Sequence, residues 1–437
     1  MPLLESSRSE SAIQTDTGMT APGKNRPADN GNIVKPGVAY ALVLLAVRVV
    51  QLLVIAWFCG GLEFSDDIQF QRIYAADPLQ LLLGRSTTYE VFPPLFPLII
   101  ASIYAPLSTV LSPFASMRMA MCTIELIAWP LLWWIIVHTA QGRARHLLAI
   151  TYIIAPMSWI STVIMCQDEA ISLLFFAAVV VALLRGRLRL AICLCGVGVV
   201  AAKIYFLVPL VGLLSVPAKR SWRDWMQDLL FGLSPILATY ALQAALTGRP
   251  GVAFEAFRDF VIPFQMSVSI WALVPRFVPV SDEDARRISA ILALTLSLLP
   301  LLAMRIRGNP VQPKEQVRLI VAMILWVYLS FYHVNPEYGL IVVPGILAIL
   351  RPLASSLVLL IGFTLPWAVN FFYGVGVGID RGDAGRAAFV RVYQSIFTIE
   401  PSVMQSIMIV PVALATLWLA TVLTWPKLGA SGIAADS

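Results

Sequence analysis

Charge is scarce in this chain. Only 13% of its 437 residues are Asp, Glu, Lys or Arg, whereas 59% are hydrophobic. The mean hydropathy is +0.80. So little charge cannot cover a soluble globule, which excludes a separate soluble enzyme domain and implies a multi-span helical membrane protein. Histidine is rarer still, at three residues. The five cysteines, Cys59, Cys122, Cys166, Cys193 and Cys195, fall mostly in apolar segments without metal-ligand spacing. Neither zinc nor a disulfide is expected, and Cys193-Leu194-Cys195 reads as helix packing. No internal repeat is visible. The net charge of +6 would suggest nucleic acid in a soluble protein; here it records lysines and arginines kept in cytoplasmic loops, and no nucleic-acid partner is expected.

What is abundant is apolar sequence, and its breaks set the organisation. Residues 1–36 are rich in Ser, Thr, Gly, Pro and Asn with mixed charge, too polar to fold, and read as a disordered cytoplasmic tail. Residues 37–426 form the transmembrane domain and 427–437 a short cytoplasmic tail. The stretch from Gly37 to Gly60 is long enough to span a bilayer at roughly 20 residues per crossing, so it is a span and not a cleaved signal. Further spans are expected near 118–138, 147–165, 170–184, 189–202, 204–216, 229–247, 288–304, 318–333, 338–350, 353–373 and 404–425. The expected fold class is therefore all-α, polytopic, with about twelve spans.

The segment 94–111 is uncharged and long enough to be a further span, and the charges decide against it. If it does not cross and the N-terminus is cytoplasmic, the basic loops 141–146, 185–189, 217–228 and 305–318 all face the cytoplasm. The acidic loop 61–93 then faces out. A thirteen-span alternative strands Lys24, Arg26 and Lys35 outside. Segment 94–111 is thus expected to be a proline-started helix in the outer interface.

This topology collects the unusual polar residues on the outer side. Asp66 and Asp67 follow the first span. Gln167, Asp168 and Glu169 end the third, and Lys203 breaks the apolar run 190–216. Trp271, Arg276 and Asp282-Glu283-Asp284 lie in one outer loop, and Phe331-Tyr332-His333-Val334-Asn335-Pro336-Glu337-Tyr338 at another outer turn. Carboxylates, a lysine, an arginine and a histidine converging at one face read as an active site. Arg48 and Glu125, opposite charges inside the first and second spans, read as a structural pair.

The ordered set Ser65-Asp66-Asp67, Tyr89-Glu90-Val91-Phe92-Pro93-Pro94-Leu95, Gln167-Asp168-Glu169, Gly196 through Lys203, Ser269-Ile270-Trp271 and His333-Val334-Asn335-Pro336-Glu337-Tyr338 resembles the integral-membrane GT-C glycosyltransferases. The polyprenyl-phosphate-sugar-dependent, mannosyltransferase-like branch is the nearest in pattern, over roughly residues 37–350. The resemblance implies a hexosyltransferase that moves a sugar, mannose or another hexose, from a polyprenyl-phosphate donor to a hydroxyl of a glycolipid, glycan or other acceptor. In that family the first outer loop carries the catalytic acid, which here would be Asp66 or Asp67, one acting as base and the other positioning. The leaving phosphate needs a cation, with Lys203 first and Arg276 and His333 as alternates. Gln167, Asp168, Glu169 and Tyr338 complete the substrate-binding set. Because Ser-Asp-Asp is not an Asp-x-Asp motif, no metal or other cofactor is expected. The partners are then the lipid donor, the acceptor and membrane lipids. The compact loops suggest a bacterial inner membrane with the active site outside and both termini cytoplasmic.

Each residue also has a structural reading. Asp66-Asp67 and Asp168-Glu169 are helix-start signals, Lys203 could snorkel to headgroups, His333 could satisfy a backbone carbonyl, and Trp271 is an interface anchor. The rival functions are a transporter or flippase of lipid-linked sugars, which would place charges near the midplane in two related halves, a ligase moving a whole glycan, and a structural subunit. Residues 374–403 read as an outer loop with a weak Gly374-x-Gly376-x-Gly378 signal.

Overall fold

The computed structural model describes residues 30–59, 72–84, 93–216, 221–249, 268–274, 277–307, 312–381 and 387–426. Every regular element among them is helical. In hydrocarbon a backbone must satisfy its own N–H and C=O groups, and a helix does so within one segment. Seven helices are long and apolar enough to cross a membrane: Lys35–Trp57, Pro113–Thr139, Gly142–Ile164, Trp222–Thr247, Asp282–Arg307, Pro352–Gly376 and Pro401–Thr424. The chain is an integral membrane protein. Each expected span coincides with a helix, but several helices are short: Glu169–Leu184, Leu188–Ala201, Ile204–Leu214 and Pro336–Ile349 have only 10–17 residues. The helix Pro313–Ser330 is apolar only beyond Arg318.

Segment 94–111 forms the helix Phe96–Ser108, with proline in its first turn. Leu95 N–H donates to the Val200 carbonyl at 3.0 Å, fastening its start beside the end of Leu188–Ala201. Its other end runs through the Ser112 cap into Pro113–Thr139. One turn into that helix, buried Arg118 donates to the carbonyls of Val163 (2.8 Å) and Ile164 (3.1 Å), at the end of the next long helix, Gly142–Ile164. Val200 and Ile164 adjoin Lys203 and Asp168 in the chain. Phe96–Ser108 therefore leaves and returns at one end of the bundle and does not cross, as the charge count requires.

Residues 374–403 are not the loop expected from sequence. Gly374 and Gly376 lie inside the helix Leu365–Arg381, which packs along Pro401–Thr424, and a second helix, Ala387–Ile396, follows. A side chain would be accommodated at both glycines: a Cβ at Gly374 meets nothing within 4 Å, and one at Gly376 would come 3.7 Å from the Cβ of Pro401, an ordinary contact. A close glycine contact does join Leu188–Ala201 to Trp222–Thr247, where a Cβ on Gly196 would lie 2.1 Å from the Gly232 carbonyl oxygen. Only a residue without a side chain permits that approach.

Inside the bundle, Arg48 and Glu125 do pair. Arg48 Nε and Nη2 meet the two Glu125 oxygens at 2.8 and 2.9 Å, and both residues are fully buried. The guanidinium also donates to Gln51, the Ile153 carbonyl and Ser158, while Glu125 accepts from Tyr152 at 2.8 Å. Four partners from three further points in the chain surround the pair, so neither charge meets hydrocarbon unsatisfied. Removing one member leaves the other bare. Arg48→Met or Glu125→Leu is expected to lower stability by about 3–5 kcal/mol, and the double variant to recover part of that loss; thermal unfolding of the four proteins in detergent checks this.

Candidate active site

Lys203 organises the polar end of the bundle. It sits between the helix Leu188–Ala201 and the short turn Ile204–Phe206. Its ammonium lies 3.2 Å from Asp168 Oδ2 and 3.1 Å from Glu169 Oε1. Neither oxygen receives a hydrogen bond of good geometry, so the contact is one of charge. Burial works against the ammonium, but Asp168, Glu169 and Glu337 outweigh it and hold Lys203 above the ordinary lysine range. The side chain is 16% exposed and turned to carboxylates, which rules out free snorkelling to headgroups.

The carboxylates are aimed by an unusual turn. The helix that begins at Gly142 loosens into a π turn at Ile160–Ile164. Cys166 then takes a left-handed conformation, φ 54°, and Gln167 N–H closes back to the Ser161 carbonyl at 2.8 Å. A residue with a Cβ costs roughly 1 kcal/mol in that conformation. Asp168 stands at the start of Glu169–Leu184 but makes no side-chain cap hydrogen bond. Capping alone does not account for it. Gln167, Asp168 and Glu169 are all buried.

The turn 331–338 closes the site from the other side. Trp271 Nε1 donates to the Ser330 carbonyl at 2.6 Å and Val268 N–H to the Val334 carbonyl at 2.9 Å. Trp271 is thus a buried brace for this turn and not an interface anchor. Tyr328 donates through its hydroxyl to the Tyr338 carbonyl, and Tyr205 to the His333 carbonyl at 3.4 Å. The Tyr338 ring stands 5.1 Å from the Lys203 ammonium, a cation–π contact. Glu337 is buried at the same turn. Burial first, and the Lys203 charge second, push the His333 imidazole down to about 4. That shift favours the neutral, hydrogen-bonding form of His333 at pH 7.

The depth of the site follows from helix length. Glu169–Leu184 and Leu188–Ala201 meet at the exposed turn Arg185-Gly186-Arg187, where Gly186 at φ 69° closes the helix end. Their 16 and 14 residues rise to Asp168 and Lys203. At 1.5 Å per residue they reach about 24 and 21 Å, short of the ~30 Å hydrocarbon thickness. If the arginine turn stands at one membrane boundary, the cluster lies below the other.

The structure thus brings together Gln167, Asp168, Glu169, Lys203, His333 and Tyr338, and adds Glu337 and Tyr205. Asp66, Asp67 and Arg276 lie outside the described residues. Asp282, Glu283 and Asp284 do not join the site; they are exposed in the first turn of Asp282–Ser297, where Ser281 is the cap and Glu283 pairs with Arg287. Among the described residues, no group of three or more His, Cys, Asp and Glu side chains has metal-binding geometry.

No protein-family model matches the chain, and no curated protein sequence matches it. Among solved structures it is similar to the crystal structure of ArnT from Cupriavidus metallidurans bound to undecaprenyl phosphate, with 15% identity and a TM-score of 0.45, over 92% of this chain and 79% of that one. A likeness of that size leaves function to be argued from this chain's own residues.

Two outcomes are expected. Lys203→Met leaves two buried carboxylates without their cation and should cost about 3–5 kcal/mol, with Lys203→Met/Glu169→Gln partly restored; detergent thermal melts compare them. For His333, the folded value of about 4 lies below the ordinary 6.5, so the unfolded chain binds the extra proton first. Its contribution is therefore complete above pH 6.5 and is lost as pH falls toward 4. A His333→Gln variant should show a flatter stability profile across that window, read by melts at successive pH values.

Proposed function

We propose that this protein is a membrane glycosyltransferase that moves a sugar from a polyprenyl-phosphate donor to an acceptor hydroxyl. The observation that carries the reading is the recessed cluster of Asp168, Glu169, Lys203, Glu337, His333 and Tyr338 at the ends of half-length helices. Buried carboxylates, a neutral imidazole and an aromatic face suit a hydroxylated ring. A membrane-level opening suits a substrate whose isoprenoid tail stays among lipids while its head reaches the polar groups.

In the transfer, the acceptor oxygen forms a bond to the anomeric carbon while the bond from that carbon to the phosphate oxygen breaks. The electron pair leaves with the phosphate, and the acceptor's proton passes to a carboxylate. We assign that carboxylate to Asp66 or Asp67, by the family pattern of the first outer loop. Mannose or another hexose is the sugar that pattern favours, and no metal is required. Lys203 reaches a leaving phosphate only by giving up a carboxylate partner. The orientation with both termini cytoplasmic, and a bacterial inner membrane as the setting, belong to the same proposal.

One observation favours a transporter instead: the ion pair Arg48–Glu125 lies deep in the bundle, and π turns interrupt the helices at Ile160–Ile164 and Val358–Gly362. The pair is fully engaged, however, with no vacancy for a cargo. The deciding experiment is sugar transfer by the purified protein in detergent, from radiolabelled polyprenyl-phosphate mannose to a membrane lipid extract, with wild type, Asp66→Asn and Asp67→Asn. The expected result is a labelled product, reduced at least about 100-fold in one folded variant. Absence of any labelled product from several lipid-phosphate sugars would reject the transferase.

A further inference from the structure

Around the turn 331–338, several buried polar atoms have no hydrogen-bond partner: Glu169 Oε2, Ser172 Oγ, His333 Nδ1, Thr364 Oγ1 and Trp367 Nε1. Native interiors satisfy nearly all such atoms, so a cluster of exceptions marks a place where a ligand completes the bonding. Their positions are not scattered. Ser172 lies one turn along from Glu169, on the same helix face. Lys203 joins Glu169 to His333, since it contacts the first and its charge acts on the second. Thr364 and Trp367 flank the start of Leu365–Arg381, a helix that packs against the turn Pro336–Tyr338. Glu169, Ser172, His333 and Trp367 are all more than nine-tenths buried.

The chemistry of the set excludes an anion. It holds a carboxylate oxygen, two hydroxyls, an imidazole nitrogen and an indole N–H, all neutral or negative. Lys203 does not change this, because it is already shared by two carboxylates. A phosphate brought to the ammonium would have to displace those partners while losing its own hydration. A hydroxyl suffers no such conflict. It can donate to a carboxylate oxygen such as Glu169 Oε2 or accept from an N–H such as that of Trp367.

We infer that Glu169, Ser172, His333, Thr364 and Trp367 form a subsite for the hydroxyls of an uncharged sugar ring, and that Lys203 serves as the partner of Asp168 and Glu169, not as the phosphate ligand. The inference rests on the glycosyltransferase reading for the identity of the ring, which comes from the donor or from the acceptor. Lys203 is on this account a positioning residue.

The test measures binding to purified protein in detergent for wild type, Glu169→Gln and Ser172→Ala. The probes are polyprenyl phosphate, polyprenyl-phosphate mannose, methyl mannoside and methyl glucuronide, read by radioligand filtration for the lipids and by tryptophan fluorescence for the glycosides. In wild type the mannose-bearing lipid, the mannoside, or both should bind, the glucuronide at least about tenfold more weakly than the mannoside. Ser172→Ala, which removes one oxygen and keeps the fold, should weaken only the sugar-bearing probes, about three- to tenfold, and leave polyprenyl phosphate unchanged. Weakening of the lipid sugar alone places the donor's ring in the subsite; weakening of the mannoside alone places the acceptor's. If both variants instead weaken polyprenyl phosphate itself, or the glucuronide binds as well as the mannoside, the subsite is overturned. If neither lipid binds but the mannoside does and responds to Ser172→Ala, the subsite stands and the lipid-donor reading falls. If no probe binds, both fall.

Discussion

In a chain with so little charge, the placement of one ammonium shapes everything near it. Lys203 stands where two half-length helices end, and its contacts with Asp168 and Glu169 tie the helix Glu169–Leu184 to the helix Leu188–Ala201 at the polar end of the bundle. The same helices are tied at their other end by the tight turn at Gly186. A bare lysine or a bare carboxylate at that depth would be costly, so the three residues are stable there only as a set. The π turn, the left-handed Cys166 and the braced turn 331–338 are the local adjustments that keep the set assembled.

Two buried ion clusters share this bundle and differ in one respect. Around Arg48 and Glu125 nearly every hydrogen-bonding direction is used, by Gln51, Tyr152, Ser158 and a backbone carbonyl. Around Lys203 the charges are balanced only in part, and several neighbouring donors and acceptors are unspent. The first arrangement holds helices together. The second is the kind of polar surface that waits for a molecule.

Much of this was legible in the sequence because charge in an apolar chain is conspicuous. Arg48 and Glu125 could be matched as the opposite charges within spans, and Asp168, Glu169, Lys203 and His333 stood out as breaks in hydrophobic runs. The course of residues 94–111 followed from the basic loops. Other features were out of reach. Asp282-Glu283-Asp284 looks like Asp168-Glu169 in one dimension, an acidic start to a helix, and only packing shows that one is exposed and the other buried. Ser172, Thr364 and Trp367 carry no charge and are common in such helices; Ser172 could have been noticed only as the residue three places after Glu169. Gly374-x-Gly376-x-Gly378 suggested a loop, since glycine lowers helix propensity, yet packing along Pro401–Thr424 overrides that preference and the segment is helical.

The shortness of the helices around Lys203 has a consequence for the surrounding lipid. Where a protein's apolar height falls below that of the bilayer, the membrane must thin or let water down to the polar groups, at a cost of fractions of a kcal/mol per Å of mismatch. Leu188–Ala201 and Ile204–Leu214 expose apolar side chains such as Leu190, Leu207 and Val211, and on that face a shortfall of several Å draws headgroups and water toward the cluster by either response. The bilayer is thus a working part of this protein. Its acyl-chain length sets how far the polar region is from the aqueous phase, so a membrane of different thickness would present the same residues to their substrates at a different depth.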